Sequence, residues 1–148
     1  MRLNPTSMHG LQLKAHILAE RQNKPDEAIR VLDRAVEAYP ESAPAIAGRG
    51  VLLARAGRRV EAIRDAEVAL ARDARAPNLY QVGCIYALVA KADAAHKAKA
   101  FELLWAALRT GFGLDIVDTD VDLDPIRAEP EFRRLVASAR KRQADLAR

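Results

Sequence analysis

The chain is poor in aromatic residues, holds a single cysteine and is sparing with glycine and proline, and each shortage narrows what it can be. One cysteine, Cys84, excludes an internal disulfide framework and fits a reducing cytoplasm. No apolar run approaches the ~20 residues that span a bilayer. The opening Met1-Arg2-Leu3-Asn4-Pro5 does not read as a signal peptide, so the expected setting is soluble and cytoplasmic, away from membranes. The motifs of common chemistry are missing as well. There is no His-Glu-x-x-His, no phosphate-cradling glycine loop and no Cys-x-x-Cys, and His9, His16 and His96 lack metal-ligand spacing. We therefore expect no catalysis, no cofactor and no metal.

What is present favours helices. Half of the 148 residues are hydrophobic but only 5% are aromatic, so alanine and leucine supply most of the apolar content. Both are strong helix formers, as are the abundant arginine and glutamate. The length suits one domain with a real core. The net charge of +4 permits acidic partners without demanding nucleic acid. Arg58-Arg59, Arg72, Arg75, Arg133-Arg134 and Arg140-Lys141-Arg142 are clustered basic charges, which make a nucleic-acid-binding helical repeat the alternative reading. No aromatic residues interleave with them to stack bases, and acidic residues are interspersed.

A period runs through the first half. Pro25-Asp26-Glu27-Ala28-Ile29-Arg30 and Arg59-Val60-Glu61-Ala62-Ile63-Arg64 share Glu-Ala-Ile-Arg, with Ala28 and Ala62 34 positions apart. Ala35 and Ala69 keep that spacing, as do Asn23 and Gly57, which sit where a helix should stop and turn. Each period carries two stretches of helical apolar spacing. The first runs from His9 to Gln22. The second opens at Pro25, places Ala28, Ile29, Leu32, Ala35 and Val36 on one stripe, and stops before Pro40. Ser42 is positioned to cap the next helix, with Pro44 in its first turn, and a third pair opens near Pro77.

This 34-residue helix–turn–helix pattern resembles the tetratricopeptide-repeat (TPR) family. The matching positions are Ala28, Leu32, Ala35 and Pro40 in the first repeat and Gly50, Leu53, Ala62 and Ala69 in the second. In the third, Leu79, Val82, Gly83 and Tyr86 fit the first helix. Ala100, Leu104 and Ala107 fit the second helix after about five extra residues within 91–99. His16, Arg49 and Ala66 depart from the pattern, His16 standing where a small packing residue is usual and Arg49 where leucine is usual. Asp122-Leu123-Asp124-Pro125-Ile126-Arg127, followed by Pro130-Glu131-Phe132 and Leu135, resembles the closing segment of bacterial TPR arrays, some attached to serine/threonine kinases. The resemblance implies an all-α, αα-superhelix of about three helix pairs plus a C-terminal capping helix. The repeats would span about 9–42, 43–75 and 76–113, with a closing unit at 114–148, all in one domain over 1–148.

Asp118, Asp120, Asp122 and Asp124, with Glu129, have the ligand spacing of a calcium loop. However, Leu123 stands where that loop needs glycine, and Pro125 interrupts it. Turn and cap roles suit these aspartates better, with Arg127 pairing to one of them. Gly111-Phe112-Gly113 reads as a helix stop. Cys84 reads as a small apolar packing residue.

The family's binding face implies a groove built from Leu13, Ile17 and Arg21, then Ala47, Val51 and Arg55, then Tyr80, Cys84 and Leu88. Such a face suits an extended or helical peptide with apolar anchors and an acidic residue. The family's clamp for chaperone C-termini is not implied, because Leu13, Ile17, Gly48, Pro77 and Gln81 lack its charged and amide residues. The function expected is a non-catalytic protein–protein interaction module. It could stand alone, end a larger multidomain bacterial protein or form a regulatory segment of a serine/threonine kinase. Because the first repeat starts near the N-terminus, we also expect its first helix to contact another domain or a second copy.

Overall fold

The computed structural model describes residues 6–148, so the reading of Met1-Arg2-Leu3-Asn4-Pro5 lies outside it. Among the described residues every regular element is helical and none is a strand. The all-α expectation holds, and no helix among these residues is long and apolar enough to cross a membrane. The chain divides into two compact units, Met1–Arg72 and Asp73–Arg148.

The first unit contains α1 (Met8–His16), α2 (Pro25–Ala38), α3 (Ala43–Arg55) and α4 (Arg59–Arg72). Consecutive helices pack on one another. Their starts are set by side chains that satisfy free backbone donors. Ser7 Oγ accepts from Gly10 N at 3.0 Å, and Ser42 Oγ accepts from Ala45 N at 3.3 Å. Pro25 opens α2 where a missing N–H costs nothing. The chain turns between partners through a left-handed residue in each pair, Asn23 (φ 51°) and Gly57 (φ 79°). Asparagine is one of the few side chains that enters this region readily. Helices α2 and α4 both have 14 residues and start 34 positions apart. Alanines with no exposed surface, among them Ala28, Ala35, Ala45, Ala62 and Ala69, let the axes approach closely.

One departure alters the register. The stretch expected as a single helix from His9 to Gln22 is α-helical to His16 and then makes a π turn, Ile17–Arg21, in which Gln22 N donates to Ile17 O at 3.1 Å. A π turn takes up one residue more than an α turn. The capping serines Ser7 and Ser42 are accordingly 35 apart, whereas Asn23 and Gly57 are 34 apart. From Ser7 as far as Leu18 the matching positions are therefore Leu11 with Ile46, Ala15 with Gly50 and Leu18 with Leu53, all buried. Ala15 is the small packing residue of α1. His16, expected in that role, is exposed.

The second unit contains α5 (Ala76–Ala90), α6 (Lys97–Leu108), the short α7 (Asp124–Arg127) and α8 (Pro130–Leu146). The extra residues ahead of α6 form a turn and a 3-10 segment, Ala94–His96, which Asp93 caps through Ala95 N at 3.0 Å. Gly83 of α5 faces Leu104 of α6 so closely that a Cβ would lie 2.9 Å from Leu104 Cγ. Helix α6 ends where Gly111 (φ 94°) and Gly113 (φ 87°) turn the chain left-handed, as a helix stop requires. The closing segment returns over the hairpin: the 3-10 turn Val121–Leu123 and α7 lie on α5, and α8 lies on α6. Val117, Leu123 and Ile126 of this segment are fully buried.

Candidate functional site

The structure divides the nine expected groove residues by exposure. In the first unit Leu13 is 40% exposed, Ile17 is half-buried, and Arg21 and Arg55 face solvent. Ala47 and Val51 are buried, so they contribute packing rather than open surface. The π turn also means that Gln12 and His16 of α1 stand where Ala47 and Val51 stand in α3, one residue before Leu13 and Ile17. In the second unit Tyr80 and Cys84 are buried and Leu88 is half-buried. Arg55 donates to Glu20 at 2.5 Å, so one rim arginine already faces a carboxylate.

A polar cluster absent from the sequence reading lies inside the first unit. Arg49 forks onto Asp65 through Nε and Nη2, both at 2.8 Å, and reaches Asp33 Oδ1 at 3.2 Å. The hydrogen bond with Asp65 is the main reason the guanidinium is held even more firmly protonated than usual; burial opposes it. Asp65 is buried on α4, and the cluster borders a recess of about 140 Å3 that Glu61 and Arg64 also line. Its members come from α2, α3 and α4, at separations of 16 residues that no helical periodicity marks. The corresponding positions of α5 and α6 carry Val82 and Leu103, both buried and apolar.

In the second unit the aspartate run serves turns and ion pairs. Asp120 accepts from Asp122 N at 3.0 Å and from the Tyr80 hydroxyl at 2.9 Å, and the Cys84 thiol lies 3.8 Å from the same carboxylate. Burial, then the nearby thiol, then Asp120 push the Tyr80 phenol well above its ordinary range. Its ring lies over Gly113, where a Cβ would come within 2.7 Å of two ring carbons. Arg127 pairs with Asp124 at 3.0 Å and also donates to the Val117 and Asp120 carbonyls, tying the segment together. Among the described residues no group of three or more His, Cys, Asp or Glu side chains is placed to hold a metal ion. Several arginines, in the basic clusters and outside them, face carboxylates: Arg58 with Glu61 and Arg140 with Asp118, and also Arg72 with Glu41 and Arg75 with Asp73.

No protein-family model, no curated protein and no solved structure matches this chain.

Proposed function

We propose that the protein is a non-catalytic, TPR-like interaction module that holds a peptide or protein segment against its first helices. The observation that carries this reading is the matched build of the two helix pairs in the first unit. Each is opened by a capping serine and turned by a left-handed residue, and their second helices begin 34 positions apart. Repeats of this kind bury one face against their neighbours and leave another for a partner. Arg49, Arg55 and Lys97 form ion pairs that join separate elements, which suits a scaffold better than a reactive centre. The same reading holds whether the module acts alone or within a longer chain.

The exposed part of the expected groove, Leu13 and Arg21, is the place to test it. Leu13→Asp combined with Arg21→Glu leaves the buried positions untouched and reverses the character of that surface. Affinity capture should recover a partner with the wild type and with Val60→Asp, a control at a position 75% exposed on α4. The double variant should lose it. Equal recovery by all three removes this face from the reading.

A further inference from the structure

We propose a second binding site, for a peptide carrying an apolar side chain beside carboxylates, in the cleft between α8 and the segment that precedes it. The cleft is open to solvent and has a volume of about 560 Å3, room for side chains of a bound segment. Arg133, Val136 and Arg140 recur on one face of α8 at i, i+3 and i+7, so they line the same side of the cleft. The buried rings and methyls of Phe132 and Val136 form its apolar floor. Arg127 is fixed on the opposite side by the Val117 and Asp120 carbonyls and by Asp124, so its charge is placed before any ligand arrives.

Three arginines and one aspartate, Asp118, leave the lining with a positive excess. Arg133 pairs with no carboxylate among the described residues. Arg140 shows what the cleft accepts. It donates to Asp118 Oδ2 at 2.5 Å and reaches the Leu114 carbonyl at 3.4 Å, so the chain's own carboxylate occupies a position that a ligand's could take. Asp118 is largely exposed on a loop, and an ion pair of that kind is weak enough to exchange. An apolar floor gives area, while arginines at the rim select a carboxylate with two-pronged geometry. The site lies wholly in the second unit and does not depend on the α1 face, so the two readings fail separately.

The test is fluorescence anisotropy with a labelled Glu-Asp-Leu-Phe-Glu-Asp peptide. Controls are Gln-Asn-Leu-Phe-Gln-Asn, Glu-Asp-Ser-Ser-Glu-Asp and a single-stranded oligonucleotide. The first peptide should bind saturably and both altered peptides at least tenfold more weakly. Arg133→Glu with Arg140→Glu should reduce binding at least tenfold, while Asp118→Asn, which frees Arg140, should tighten it severalfold. If the double variant loses helicity, Arg133→Gln alone supplies the comparison and should still weaken binding. The proposal is overturned by no saturable binding up to millimolar protein, by equal binding of the serine peptide, or by unchanged binding to the arginine variants. Tighter, arginine-dependent binding of the oligonucleotide overturns it too, in favour of nucleic acid.

Discussion

Gly83 shows how little room a single position can leave. A methyl group there would lie 2.9 Å from Leu104 Cγ, and Leu104 is itself fully buried and cannot swing away. Overpacking of this kind costs ~1–3 kcal/mol, offset by ~1 kcal/mol because alanine favours the helix over glycine. Gly83→Ala should therefore destabilise by about 1 kcal/mol, lowering the melting temperature by roughly 3 °C. Tyr80 gives a pH prediction. Its folded-state phenol keeps its proton beyond the point, ~pH 10, at which an unfolded tyrosine loses it. Its contribution is complete below that pH and is lost as pH rises through the folded value, because there the unfolded chain binds fewer protons. Denaturant titrations should show stability falling above about pH 10, and Tyr80→Phe should flatten that decline while losing the bond to Asp120. A slope unchanged by the substitution assigns the alkaline loss to other groups.

The helices and their ends were mostly readable from the chain, because caps and breakers act locally. Ser42, Pro25, Gly57 and the Gly111–Gly113 pair all do what their side chains, or lack of them, dictate. The π turn after His16 was not readable, since Leu11, Ala15 and Leu18 fit ordinary helical spacing and the extra residue lies beyond them. That single residue displaced the expected face of α1. Burial of Ala47, Val51 and Tyr80 was equally hidden, because it depends on which helix lies opposite. The Arg49–Asp65 pair escaped for the same reason. It stands at positions where α5 and α6 carry the buried apolar residues Val82 and Leu103, which defines an experiment. Asp65→Leu alone strands Arg49 with only the exposed Asp33 and should cost about 2 kcal/mol, less than a fully buried pair because Arg49 retains some solvent. Arg49→Val with Asp65→Leu should recover most of that loss. Urea denaturation of the two single variants and the double completes the cycle, and strictly additive losses would show that the pair is not coupled.

Across the whole molecule, packing quality is uneven. Among the described residues, the large side chains with the least exposure, Ile85, Leu104, Leu108, Leu123, Ile126, Val82 and Val117, belong to the second unit, with Ile29 and Val31 of the first close behind. The first relies more on alanine, whose burial removes less apolar area from water. Amide hydrogen exchange should accordingly be slowest in α5 and α6 and faster in α1 and α2, and the reverse order would contradict this ranking. The fragment 73–148 should also melt cooperatively on its own, read by circular dichroism, because it carries its own core.

Cys84 turns that ranking into something a bench chemist can time. It is the chain's sole thiol and is buried on α5, next to Asp120. A colourless disulfide reagent that releases dye on reaction can reach it only when the surrounding helices part. The rate of colour development, extrapolated to high reagent, then reports how often the second unit opens, without any label or engineered residue.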